Sequence, residues 1–452
     1  MNGPSTPSEA SPRAFGAVGV AAALTPLNST MIAVALPAMS QDFSASAASV
    51  TVWVVTAYLI ATIVFQMPAG AVADRMGYGP TLTLGRWLFM AGAAAATLAP
   101  SLWFVIVGRL LMAAGGALML PTAMAMLRVI VPEARRPRAF GALGAVMGGA
   151  AAVGPALGGL VIARTSWRVL FLVNLPLTVL SWWLQPKGFA AGAPRTRPHG
   201  FDWLGSVLLG TALVGAVLST RVAAPWSYAC VAGAVVFFAA LVVQARTVPA
   251  PVLDFSLFTE RAFVAGASVI ALQNLAMYSL LVQVPFLFSA GGLSRSQFSV
   301  VVMAMTGMMA IASPIGGRLA ERLGSRLTVL AGSVAGALGV LALLPLSSLA
   351  RTGGAATPVQ VALPLLAVGL GLGLSTGPSQ AAALSAIEPQ RSAMASAAIS
   401  TMRYMGAIVG TAILGLALAG GEGNLDAQQR ALVAFAAAFA LSAVAAMRLR
   451  RR

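Results

Sequence analysis

Gly70-Ala71-Val72-Ala73-Asp74-Arg75-Met76-Gly77 recurs in the second half of the chain as Gly317-Arg318-Leu319-Ala320-Glu321-Arg322-Leu323-Gly324. Each octet sets an acid and an arginine just before a closing glycine, after the second apolar run of a set and before the third. Such a repeat implies two homologous halves. The apolar runs around both copies are about 18–25 residues long, enough to cross a hydrocarbon core of about 30 Å as helix. They are continuous rather than alternating, so the spans are helices and not barrel strands.

Fourteen spans are expected: 15–38, 50–70, 80–99, 103–131, 138–164, 168–186, 202–221, 226–245, 262–289, 297–317, 327–348, 358–386, 392–420 and 429–447. The chain then reads as an all-α transmembrane protein. A tail (1–14) leads into a six-helix bundle (15–186). A linker rich in Pro, Gly and Arg (187–201) leads to two inserted helices (202–245). A connection (246–261), a second six-helix bundle (262–447) and a basic tail (448–452) complete it. In folds built from such repeats the substrate site is expected near the bilayer midplane, between the halves.

Composition agrees. With 59% hydrophobic and 9% charged residues in 452, and a mean hydropathy of +0.88, one large water-soluble core is excluded. The net charge of +17 is topological rather than a nucleic-acid footprint. One side holds nineteen basic residues: Arg13, Arg75, Arg128, Arg135, Arg136, Arg138, Lys187, Arg195, Arg197, Arg246, Arg261, Arg318, Arg322, Arg326, Arg391, Arg448, Arg450, Arg451 and Arg452; only Arg164, Arg168, Arg221, Arg295, Arg351 and Arg430 fall opposite. The richer side is expected to be cytoplasmic, with both termini on it. The amino terminus lacks a clear cleavage site and reads as a first span, not a signal. His199 and Cys230 are the only residues of their kinds, so no disulfide, metal or other cofactor is expected. No phosphate-binding Gly-x-x-x-x-Gly-Lys loop occurs. The acids are Glu9, Asp42, Asp74, Glu133, Asp202, Asp254, Glu260, Glu321, Glu388, Glu422 and Asp426. All are expected in loops or at helix ends, which leaves an intramembrane enzyme without a buried acid–base set.

In the octets, Gly77 and Gly324 suit a positive-φ turn. Asp74, with Arg75, and Glu321, with Arg322, can cap a helix or bind a neighbouring arginine, so Gly70–Gly77 and Gly317–Gly324 are the candidate conformational latch. Arg109, within the fourth span, either faces a cavity or is held by helix-end carbonyls. Gly148, Gly154, Pro155, Gly158 and Gly159 form a small-residue face, either for close packing or as a pliable interface. Arg403, deeper in its span than any other charge, is a second cavity cation or a tether. By helix position the candidate substrate contacts are Asn28, Trp53, Tyr58, Gln66, Arg109, Gln273, Asn274, Tyr278, Gln283, Gln380, Arg403 and Tyr404. This aromatic, amide-bearing and net-positive set suits neutral or anionic molecules better than lipophilic cations.

Gly70–Gly77, Arg109–Gly116 and Gly154–Gly159 resemble three successive motifs of major facilitator transporters, the third being the mark of the antiporters. Leu27–Pro37 resembles the first-helix motif of the fourteen-helix drug:proton antiporter branch. Trp167–Pro176 and Phe201–Gly205 resemble that branch's sixth helix and the start of its inserted pair. The resemblance implies the major facilitator fold. It also implies export of small amphipathic, drug-like molecules by alternating-access antiport, from a monomer surrounded by lipid in the bacterial inner membrane. The branch usually has Asp where this chain has Asn28. The alternative is a proton-independent facilitator, or an exporter of one neutral or anionic metabolite.

Overall fold

The computed structural model describes residues 12–45, 50, 53–54, 57–186, 201–219, 222, 225–249, 251–289, 295–351, 357–418 and 425–449. The linker 187–201 lies outside them except for Phe201, as do 1–11 and 450–452 of the two tails. The first helices are α1 (Pro12–Ala33), α2 (Leu36–Asp42), α3 (Ala57–Met76), α4 (Tyr78–Thr97), α5 (Leu102–Ile130) and α6 (Arg136–Arg164). Next come α7 (Trp167–Leu172), α8 (Asn174–Trp183), α9 (Trp203–Leu218), α10 (Trp226–Ala245), α11 (Arg261–Ser289) and α12 (Arg295–Leu323). The last are α13 (Ser325–Leu341), α14 (Leu343–Arg351), α15 (Pro358–Ser385), α16 (Ser392–Leu418) and α17 (Leu425–Ala446). Among the described residues there is no strand.

Eleven described helices are long and apolar enough to cross a membrane. The twenty-residue α4 and two shorter apolar stretches, Trp167–Trp183 and Trp203–Leu218, supply three more where the sequence expects spans. The boundaries depart from expectation in informative places. The second span was expected at 50–70, but α3 runs to Met76, so most of the first octet is helix and not loop. Ala71, Val72 and Ala73 contain no breaker, and the chain turns only at Gly77, with φ of 87°. Gly324 does the same after α12, with φ of 86°. The expected first span, 15–38, divides into α1 and α2, with a proline in the first turn of α2.

The chain packs as two compact units. One comprises Met1–Pro132, Ala150–Leu257 and Ile387–Thr401; the other comprises Glu133–Gly149, Phe258–Ala386 and Met402–Arg452. The division passes through α6 and α16, each giving its first turns to one unit and its remainder to the other.

In the first unit α4 and α5 meet backbone to backbone. A Cβ on Gly85 would lie 3.0 Å from Gly115 O, and one on Gly108 would lie 2.7 Å from Gly92 O. Such small-residue contacts are how helices gain packing where no hydrophobic effect drives them together. The second unit repeats the device between α13 and α15. There a Cβ on Gly332 would lie 2.7 Å from Gly371 O, and one on Gly339 2.6 Å from Pro364 O. The main core of this unit gathers Leu280, Val284, Met305, Val340, Leu365, Phe435 and Phe439.

Candidate functional site

The acid of the first octet has a defined partner. Asp74, 4% exposed, accepts from the backbone N–H of Ala393 at 2.9 Å and of Met394 at 2.8 Å. These are first-turn donors of α16, which have no partner within their own helix. The carboxylate also meets the positive end of that helix. Tyr78 donates to Asp74 Oδ1 at 3.5 Å and to Pro389 O at 3.4 Å. Gly70 permits the approach, because a Cβ there would lie 2.7 Å from Ala397 Cβ. Arg128, buried in α5, donates to Ile387 O and Ser392 Oγ. Sequence reasoning passed over Arg128, although a charge at the end of a 29-residue apolar helix is itself a signal.

The segment between the inserted helices and the second half joins this cluster. Asp202 caps α9 through Gly205 N (2.8 Å) and accepts from Gln244 Nε2 (2.7 Å) and Val252 N (2.9 Å). Two residues beyond Val252, Asp254 pairs with Arg391, which also donates to Ser256 Oγ at 2.5 Å. Arg75 lies 5.4 Å from the Phe201 ring centroid.

The second octet behaves differently. Glu321 Oε1 is a buried atom without a hydrogen-bond partner among the described residues. A cleft of about 310 Å³ in the second unit is lined by Glu321, Glu133, Pro137, Ser325 and Ser385, among others.

Of the candidate contacts in the first unit, Arg109 and Tyr58 come together. The guanidinium carbon stands 3.7 Å from the Tyr58 ring centroid, and Nε donates to Val54 O at 3.0 Å. Arg109 is 1% exposed. Asn28 and Gln66 are fully buried, and among the described residues neither has a partner for its amide nitrogen or oxygen. Trp53 is exposed. In the same unit Asp42 accepts from Arg168 at 2.5 Å and from Trp167 at 3.0 Å. These bonds, with Arg168's foremost, hold its carboxyl below the usual range.

In the second unit, Arg403 donates to Gln380 Oε1 at 3.5 Å and interacts electrostatically with Tyr278 and Tyr404. The remaining amides face packing partners. Gln273 bonds Ser333 and Ser442, Gln283 bonds Gln428 O, and Asn274 bonds Ile270 O on its own helix.

The small-residue face of α6 divides between the units. Gly154 abuts Thr30 Oγ1 and would place a Cβ 3.1 Å from Leu27 O; Gly158 would place one 2.9 Å from Met31 O. Gly148 faces Met309, Pro155 is exposed, and a Cβ on Gly159 meets nothing within 4 Å. Gly154→Val is therefore expected to destabilise the protein by about 1–3 kcal/mol through overpacking. Gly159→Ala should be silent. Thermal unfolding in detergent checks both, and equal melting points for the two variants would contradict the packing.

The Major Facilitator Superfamily profile matches residues 18–411 and, in a second alignment, 264–452. The chain belongs to the major facilitator superfamily. The overlapping second match is what an internal repeat produces. An uncharacterized MFS-type transporter of Bacillus subtilis, YvkA, is 34% identical over 397 residues, covering 87% of this chain and 88% of that one. The tetracenomycin C resistance and export protein of Streptomyces glaucescens is 28% identical over 416 residues, covering 90% and 76%. Among solved structures, the major facilitator proton:xylose symporter XylE matches with a TM-score of 0.67 at 12% identity, covering 95% and 94%. That likeness shows the fold alone. This major facilitator protein is thus a multi-pass membrane transporter and not an enzyme.

Proposed function

We propose that this transporter exports small amphipathic molecules of drug or antibiotic type across the bacterial plasma membrane by alternating access. It acts as a monomeric antiporter of the fourteen-helix branch, with both termini in the cytoplasm. The observation that carries the reading is the joint at Asp74. A carboxylate with two helix-end N–H donors is strong enough to favour one state, yet it consists of a few polar bonds that exchange readily with water. An apolar seam of helix packing would not exchange so readily. The resistance-and-export relative supports the direction of transport.

The test is flux in proteoliposomes of known orientation, with pH and sodium gradients imposed separately. Gradient-driven movement of amphipathic compounds towards the side opposite the termini is expected. No flux under any gradient would remove the proposal.

A second reading, export without proton coupling, is favoured by Asn28. The amide is fully buried and cannot take or release a proton. Any proton coupling would then run through a peripheral acid such as Asp42 or Asp74, or through the substrate's own ionisation. Asn28→Asp would introduce a titratable group where a buried unpaired carboxylate is costly and protonation removes the cost. The variant is expected to shift preference towards cationic substrates and to make their transport depend more steeply on the pH gradient, by about tenfold across one pH unit. Substrate-induced proton movement in proteoliposomes is the measurement. An unchanged pH dependence in Asn28→Asp would remove Asn28 from the translocation path.

A further inference from the structure

We propose that Arg403 forms an anion-binding subsite with Gln380, and that the preferred substrates are organic acids bearing a carboxylate or similar delocalised negative charge. The inference rests on the transport reading above and adds the substrate class. Arg403 lies about eleven residues into α16, roughly 16 Å along its axis at 1.5 Å per residue, and is 9% exposed. Its one direct hydrogen bond, to Gln380 Oε1, is at the outer limit of length. Its Nε is buried without a partner among the described residues, as are those of Arg86 and Arg128; the difference lies in the bonds of the Nη atoms. Among the described residues no carboxylate pairs with it.

Two other buried arginines show what a structural tether looks like in this molecule. Arg86 donates from Nη2 to Ser181 O (3.3 Å) and Oγ (3.0 Å), and from Nη1 to Gln185 Oε1. Arg128 ties a backbone carbonyl to a hydroxyl, as described above. Among the described residues Arg403 has no backbone carbonyl bond, and its one contact is the long one to a side-chain amide. A guanidinium stays protonated in proteins, and a buried charge without a counter-charge is costly. A planar carboxylate supplies what is missing, because it can take Nε and an Nη together as a two-bond fork. A cation is repelled here. In the other unit Arg109 is likewise without a carboxylate partner among the described residues, so no counter-charge for a cation is offered beside it either.

The test is binding to purified protein in detergent, measured by fluorescence with a matched pair of probes: N-dansylglycine, a carboxylate, and its neutral amide, dansylglycinamide. Tetraphenylphosphonium competes as the cation. Wild type is expected to bind the carboxylate about tenfold more tightly than the amide, equivalent to about 1.4 kcal/mol. Tetraphenylphosphonium should displace it weakly. Arg403→Gln is expected to bring the pair within about twofold. Arg403→Lys, which keeps the charge without the planar fork, should fall between, and it serves where the glutamine variant does not fold. Equal binding of the two dansyl probes by wild type, including failure of both to bind at millimolar concentration, overturns the proposal. So does a preference that survives in Arg403→Lys and Arg403→Gln alike, or tighter binding of tetraphenylphosphonium. Because the readout is binding, loss of flux with the preference intact would count against the transport reading alone.

Discussion

Arg109→Ala is expected to lower transport about a hundredfold while leaving the melting temperature close to that of the wild type. The guanidinium is buried, stacked on Tyr58 and bonded to Val54 O. Its removal forfeits a cation–π contact of about 2 kcal/mol in a desolvated site and one hydrogen bond. It also relieves the cost of burying a charge that no described carboxylate balances, which is often large enough to cancel such losses. Stability is therefore nearly neutral. Transport is not neutral on the proposed reading, in which the same charge orients polar substrate groups. Arg109→Lys should rescue poorly: an ammonium is a point charge, without the flat face that stacks on Tyr58 or the Nε that reaches Val54. Uptake kinetics in proteoliposomes, alongside thermal unfolding, check the pair of expectations. Transport-competent Arg109→Ala protein would show that the residue is only a tether between α5 and the segment around Val54.

Asp74→Asn is the second large effect. The carboxylate accepts from Ala393 and Met394 and faces the positive end of α16. Asparagine keeps one acceptor oxygen, brings a nitrogen that cannot accept, and loses the charge. Hydrogen bonds to charged groups contribute about 1.5–3 kcal/mol each. Losing most of one such bond, together with the helix-end attraction, shifts the balance of conformations about tenfold to a hundredfold. Maximal transport rate should fall by about tenfold with substrate affinity within about twofold, because the role proposed for the residue is to bias states and not to touch substrate. The first turn of α16 should also exchange its amide hydrogens faster. Weaker affinity at an unchanged maximal rate would place Asp74 in the binding site and not in the joint.

Much of this architecture is legible in the residues, and the reasons are local. Continuous apolar runs specify spans, and a glycine after an acid–arginine pair specifies a turn, since Gly77 and Gly324 adopt positive φ. The repeat shows itself by octet and again by glycine contacts at α4–α5 and α13–α15. Helix ends are less legible. Hydropathy falls before the helix does, so the second span was expected to stop at residue 70 while the chain stays helical to Met76. The interrupted first span reflects the proline that starts α2. The least legible features are pairings set by packing: Asp74 with α16 over a separation of 319 residues, Arg128 with Ile387, and Arg391 with Asp254. Nor does sequence reveal that Gln273 and Gln283 bond neighbouring helices while the side-chain amides of Asn28 and Gln66 bond nothing among the described residues. Composition names polar groups in apolar helices, but only the fold decides which of them are satisfied.

The contact of Asp254 and Ser256 with Arg391 has a pharmacological consequence. Ser256 is exposed and lies on a short arm anchored through Asp202 to both inserted helices. The arm holds the residue immediately before α16, the helix whose first turn Asp74 also grips. A nanobody or macrocycle that clamps this arm would act as a brake on the transporter from its surface. Such an inhibitor would not compete with cargo, and cargo concentration could not outrun it. Resistance to it would have to arise in the arm itself, where altering Asp254 or Arg391 disturbs the mooring that the inhibitor exploits.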